Sequence, residues 1–319
     1  MQSGTETIGT TSAGLPIDRI ILAAGDLKAS ILTLGAALQG VWLAGVAHSL
    51  TIGSEDAALY ETTMRHHGTL IGPVANRITG SAASIGGVLH QFVPEAGSAM
   101  ILHSGPAGTQ RKVWAVIDRS DAHVTLGLTL PDGEGGFPGN RLVRATYSVV
   151  APATLRLEIA VTTDRATLVN FANHSYWNLD GSASWAGHRL RIAAEHYLPT
   201  TEAVTPTGEI AAVAGTAFDF REERVAEPGA PPLDTNFCLA NARRALTEAL
   251  VLTGKSGVRM TVATTEPGVQ LYDGRSAYRG LAIEPQLWPD APGRAGFPPI
   301  DLAPGEVYAP VTEWRFDRV

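Results

Sequence analysis

Short runs in which apolar and polar side chains alternate dominate this chain. Val124, Leu126, Leu128 and Leu130 alternate with Thr125, Gly127 and Thr129, and the run stops at Pro131-Asp132-Gly133. Leu155, Leu157, Ile159 and Val161 alternate with Arg156, Glu158 and the small Ala160. Val258, Met260 and Val262 alternate with Arg259 and Thr261, and Leu190 and Ile192 with Arg189 and Arg191. A period of two places successive side chains on opposite faces of a pleated strand, so each run predicts one buried face and one mostly polar face. Ile31-Leu32-Thr33-Leu34 entering Gly35, followed by Val41-Trp42-Leu43, reads as two strands joined by a turn. Helical periodicity is scarce. Residues 242–250 (ARRALTEAL) hold good helix formers in a short stretch that Gly254 soon closes, and 54–60 has room for one turn capped by Ser54. Many short strands without intervening helices predict one all-β domain over 1–319, a large antiparallel sandwich or barrel, with 1–14 peripheral or poorly ordered.

Composition narrows the classes. The 319 residues can bury a large core, and 45% hydrophobic against 17% charged residues is a globular balance. The net charge of -7 argues against a sequence-independent nucleic-acid binder, which needs basic residues against phosphates. One cysteine, Cys238, rules out an intrachain disulfide, and its apolar setting predicts a buried, inert thiol. No formal charge falls in 29–47, which is near the length of a membrane span, but Gly35, Gly40, Gly45 and Gln39 interrupt it. With no basic, apolar leader in the opening residues, the expectation is a cytoplasmic protein that does not enter a membrane.

Two common signatures fail. The glycine-rich 133–139 is followed by a strand pattern at 142–150, whereas a phosphate cradle needs a helix N-terminus there. His66-His67 has no metal-ligand spacing and is expected to play a surface or loop role. Two other segments place polar groups where strands are otherwise apolar. Asn173-His174-Ser175-Tyr176-Trp177-Asn178 puts a histidine among amides and aromatics; alone, a core histidine satisfied by backbone is the simpler explanation. Glu284 stands between Ile283 and Pro285 and is either paired with a cation such as Arg279 or buried with a raised pKa, as a general base would be.

Taken together, these segments resemble the aldose 1-epimerase (galactose mutarotase) family. Residues Gly72 to Ile78 resemble its GRVANRI, Leu102-His103 its LHGG, and Gly135 to Gly139 its GFPG loop. Asn173 to Leu179 is similar to NHTYFNL, Pro206 to Ile210 to PTGEI, and Phe218 to Arg221 to FDFR. Asp234-Thr235-Asn236-Phe237 resembles an Asp-His-Asn-Phe segment, and Glu284-Pro285-Gln286 with Pro289-Asp290 resembles ETQ followed by FPD. The resemblance implies a large β-sandwich with the sugar in an open cleft. It implies Glu284 as general base and His174 as general acid. Arg77, His103 and Asp234 would hydrogen-bond sugar hydroxyls, and Asn76, Tyr176 and Gln286 would line the pocket. Departures fall at Pro73 (commonly Arg), Ser104 (Gly), Thr235 (His), Pro285 (Thr), and Asp273 and Arg275 (Thr and Asn), which bear on the preferred sugar more than on the reaction.

Such an enzyme would interconvert α and β anomers of free hexoses or pentoses with no metal or cofactor. A base takes the C1 hydroxyl proton, an acid protonates the ring oxygen, and the open chain rotates and recloses. Three alternatives remain. A glycoside hydrolase could use Glu284 with Asp234. A non-catalytic sugar binder would use Trp177 and Trp288 as stacking surfaces. A hexose 6-phosphate mutarotase would need a basic cluster near the sugar.

Overall fold

The alternating runs all become strands of one sheet. The computed structural model describes residues 4–275 and 279–319. Its largest sheet has nine antiparallel strands in the order Ala115–Arg119, His123–Leu130, Arg141–Val150, Thr154–Thr163, Val311–Arg318, Val258–Thr264, Thr247–Thr253, Arg189–Ile192 and Arg224–Val225. The apolar positions face inward: Val124, Leu126, Leu155, Leu157, Met260, Val262, Leu190 and Ile192 are all buried. Ala160, on the outer face, is half-buried.

A second antiparallel sheet of six strands runs Tyr176–Trp177, Leu281–Gln286, Gly268–Tyr272, Asp234–Cys238, His196–Tyr197 and Ala211–Ala212. The two sheets meet through aromatic side chains. Trp177 of the smaller sheet lies 5.9 Å from Trp314 and 5.8 Å from Phe316 of the larger, centroid to centroid. All three are buried in one continuous apolar core that reaches into every large sheet. Side chains of this size bury 150–250 Å² each and dominate such a contact. The architecture is a sandwich.

A four-stranded sheet, Gly4–Thr10, Pro16–Ala24, Leu27–Leu32 and Leu38–Leu43, holds the N-terminal segment as an edge strand paired with its neighbour. The uncharged run at 29–47 is therefore two strands and their turn. Among the described residues no helix is long and apolar enough to cross a membrane.

One stretch expected as helix is a strand instead, and the single turn at 54–60 forms with a different cap. Within 242–250 the chain is irregular until Thr247 and then forms the strand Thr247–Thr253. That strand pairs on both sides, with Arg189–Ile192 and Val258–Thr264, so ladder hydrogen bonds and burial override a weak helix propensity. At 54–60 the turn exists as the 3-10 helix Ala57–Glu61, but Asp56 caps it, accepting from the Ala58 N–H at 3.0 Å. The Ser54 hydroxyl instead accepts from Asp56 N, one step earlier. Cys238 is buried as expected, and loss of water pushes its thiol up to about 12.

Candidate active site

Strand register builds half of the site. Residues directly opposite in an antiparallel pair share a sheet face, and so do residues two apart along a strand. Tyr176 stands opposite Ala282, Ala282 opposite Tyr272, and Tyr272 opposite Asp234. One row along, Glu284 stands opposite Gln270. Both rows therefore occupy one face, and Tyr176, Tyr272, Asp234, Gln270 and Glu284 line a single cavity of about 340 Å³. Gln286 belongs to the next row, opposite Gly268. It is completely buried and is not on the cavity wall, so Gln270, and not Gln286, is the lining amide.

Loops supply the other half. The short pair Arg77–Ile78 with Ile101–Leu102 sets Arg77 opposite Leu102, which leaves Asn76 and His103 facing each other. His103 N–H donates to the Asn76 carbonyl at 2.8 Å, and Asn76 N–H donates to His103 Nδ1 at 3.1 Å. His174 follows Ala172–Asn173, and its N–H donates to the Thr69 carbonyl at 3.0 Å. Gly68 N–H donates back to the His174 carbonyl at 3.0 Å, which ties the His66-His67-Gly68 turn to His174. Asn173 and Ser175 point inward: the Asn173 amide donates to the Gly68 carbonyl and its oxygen accepts from the Ser175 hydroxyl. These bonds fix the backbone on both sides of His174.

The structure thus brings Glu284, His174, Arg77, His103, Asp234, Asn76 and Tyr176 to one cavity. It adds residues that the sequence reading did not place in the site: His66, Gln270, Tyr272, Leu102 and Val204. Arg275, noted only as a departure from the family pattern, lines it as well. His66 corrects an expectation directly. It lies in a loop, but its ring faces the cavity and packs against His103 and His174, so a surface role is excluded.

Charge in the cavity is set by burial. His174 Nε2 lies 3.5 Å from Glu284 Oε1, and both side chains are nearly inaccessible. Desolvation raises the Glu284 carboxyl well above the usual range, helped by Asp234 and opposed by Arg77. Desolvation also holds His174 well below the ordinary imidazole value, and His66 adds to this. Both shifts favour the uncharged forms, a protonated carboxyl beside a neutral imidazole, so the two groups titrate as a coupled pair. Arg279, the candidate structural partner of Glu284, does not pair with it; its carbonyl instead accepts from the Asn178 amide. Asp234 is raised by burial, against the pull of Arg77 and Arg275, each with a nitrogen 3.9 Å from Oδ2. Gln270 Nε2 donates to its other oxygen at 2.7 Å.

His66, His103 and His174 could offer ligand atoms within 4.8 Å of one another. The hydrogen bonds argue against a metal there. His103 Nδ1 accepts from Asn76 N–H, which fixes the proton of the neutral ring on Nε2 and leaves no lone pair turned to the cavity. Trp177 and Trp288 offer no stacking surface: both are buried, and the Trp288 Nε1–H donates to the Pro267 carbonyl.

Comparison with known proteins identifies the family. The family model described as aldose 1-epimerase matches residues 18–315. The chain belongs to the aldose 1-epimerase family. Galactose mutarotase of Mus musculus is 32% identical over 96% of this chain and 95% of its own length. Aldose 1-epimerase of Escherichia coli K12 is 30% identical, covering 85% of this chain and 86% of that protein. An aldose epimerase homologue from C. elegans has a solved structure that superposes with a TM-score of 0.87 at 28% identity, over 94% of this chain and 99% of that one. The chain is accordingly an isomerase that interconverts aldose anomers.

Most departures of this epimerase from the family motifs lie off the cavity wall. Asp273 is buried, and its carboxylate accepts from Leu233 N–H at 3.0 Å and Arg275 N–H at 3.2 Å. Pro285 and Thr235 alternate to the opposite sheet face from Glu284 and Asp234. Ser104 takes the place of a glycine at φ 61, a left-handed conformation that a side chain rarely adopts. Its hydroxyl compensates by clamping Val74, accepting from the N–H at 2.8 Å and donating to the carbonyl at 3.0 Å. Of the departures named, only Arg275 reaches the cavity.

Proposed function

We propose that Glu284 and His174 perform the anomer interconversion by acting as one proton-sharing pair, with a free aldose as substrate. The pair carries a single proton in either of two arrangements: both neutral, or carboxylate facing imidazolium across 3.5 Å. Burial favours the neutral arrangement and Arg77 favours the carboxylate, so the two influences on Glu284 oppose each other.

Ring opening starts from the charged arrangement. The Glu284 carboxylate takes the proton of the C1 hydroxyl while the imidazolium gives its proton to the ring oxygen, and the C1–O5 bond breaks. The sugar is then an open-chain aldehyde and the pair is neutral, so the proton count of the enzyme is unchanged. Rotation about C1–C2 presents the other carbonyl face. His174 then takes the proton from the C5 hydroxyl as it attacks, and Glu284 returns one to O1. Each acid or base contributes about 10²–10⁴-fold. Arg77, His103 and Asp234 hold hydroxyls away from the reacting carbon, with Asn76 bracing His103 and Tyr176 forming a wall of the cleft.

The observation that carries this assignment is the juxtaposition of a buried carboxylate and a buried imidazole on the wall of one cavity. Its test is polarimetry on freshly dissolved α-D-glucose, α-D-galactose and L-arabinose, with methyl glycosides as controls. Free sugars should reach the same anomeric equilibrium faster, because a catalyst leaves the end point unchanged. Methyl glycosides, whose C1 oxygen carries no proton, should not change; their hydrolysis would overturn the assignment.

A further inference from the structure

We propose that His66 is a substrate-binding residue that pairs a hydroxyl of the bound aldose; this rests on the anomerase assignment above and extends it to a side chain that assignment does not use. Three observations converge. The His66 ring lines the sugar cavity, stacked on His174 with centroids 5.6 Å apart and edge-on to His103 at 4.9 Å. Its backbone turn is bonded to the His174 carbonyl through Gly68, so the ring is held in a fixed place beside the acid. Neither ring nitrogen has a hydrogen-bond partner among the described residues, while His103, its neighbour, spends Nδ1 on Asn76 N–H.

The His66 nitrogens are not among the buried unpaired atoms, so on the wall of the cavity they are open to a ligand hydroxyl or to water. Burial and the nearby Arg65 lower His66 to about 4, so the ring is neutral near pH 7. A neutral imidazole offers one donor and one acceptor. That combination suits a hydroxyl, which also both donates and accepts, and it suits a carboxylate or a cation poorly. A cation at this position would also disfavour imidazolium at His174, 5.6 Å away. The neutral ring supplies polarity to the sugar without that penalty.

The test is a KM-against-kcat comparison of His66→Phe with the parent over D-galactose, D-glucose and their singly deoxygenated analogues at C2, C3, C4 and C6. Phe preserves the ring contacts with His103 and His174 and removes both nitrogens. The expected result is a KM roughly 10-fold higher for the intact sugars, with kcat changed less than threefold. For one deoxy sugar, the one lacking the partner hydroxyl, parent and variant should have the same KM. His66→Asn, which keeps a donor and an acceptor, should recover part of the loss. Equal KM for parent and His66→Phe on every sugar would overturn the assignment, as would the same factor across the whole deoxy series. If His66→Phe fails to fold, the same comparison on His66→Asn decides: a uniform penalty across the series contradicts the pairing. Parent activity on the unmodified sugars tests the anomerase assignment separately.

Discussion

Replacing Glu284 by Gln separates the chemical role of this carboxyl from its effect on stability. The side chain is buried, His174 lies 3.5 Å away, and Oε2 has no hydrogen-bond partner among the described residues. The amide keeps the shape but cannot accept the C1 proton. Loss of a general base predicts a fall in kcat of about 10²–10⁴, equivalent to about 2.7–5.5 kcal/mol of barrier. Stability should move the other way. The folded carboxyl titrates well above 4.5, so between 4.5 and that raised value the folded chain holds a proton that the unfolded chain has released. Relative to a neutral amide, the parent is favoured below 4.5 and loses ground as pH rises towards the folded value, about 1.4 kcal/mol for each unit of separation. Thermal unfolding of both proteins at pH 5 and pH 8, alongside polarimetry, measures both effects. Glu284→Gln should show a higher Tm than the parent at pH 8, with the gap narrowing at pH 5. A variant within tenfold of the parental rate would remove Glu284 as base. A variant whose deficit in Tm grows with pH would refute the desolvation argument.

Three further outcomes follow from the same geometry. The acidic limb of kcat/KM should lie below pH 6.5, because the second proton enters the pair only when the depressed His174 titrates; a limb at or above 6.5 contradicts its burial. Asp234→Asn weakens the hydroxyl partner that Gln270 and two arginines hold, and should lower kcat/KM by about 1–3 kcal/mol unequally among epimeric aldoses; equal losses on all would mean a structural role. Ser104→Ala should lower the unfolding free energy by about 1–3 kcal/mol by removing the Val74 clamp at a left-handed position. Ser104→Gly should lose less than Ser104→Ala, since glycine tolerates that φ; chemical denaturation curves that rank them the other way would contradict this.

Much of this protein is legible without coordinates because its strands carry their own period. The alternations around Leu126, Leu157, Met260 and Leu190 mark strands, which the structure joins in the largest sheet, and Glu284 is visible as a carboxylate among apolar neighbours. The same signal would have found Gln270, which stands between Val269 and Leu271, had it been sought there. It also explains Gln286: parity put it on the correct face, but only the register shows that its row lies beyond the cavity. Residues 242–250 misled because helix propensity is local, whereas the pairing of Thr247–Thr253 with two partners is set by distant chain. His66 carried no sequence signal of its role. Its place beside His174 depends on backbone bonds between Gly68 and His174, which are more than a hundred residues apart.

The central claim is that the ring opens at the C1–O5 bond while O1 stays on the sugar, and isotopic labelling tests it most directly. D-Galactose carrying 13C and 18O at C1 would be followed by 13C NMR, in which 18O shifts the C1 resonance while exchange between anomer signals reports inversion. Proton transfer by Glu284 and His174 predicts rapid α–β exchange with the 18O retained through many inversions, and loss of that exchange in His174→Asn and Glu284→Gln. Release of one 18O to water for each inversion would mean that the C1–O1 bond breaks, and would contradict the account.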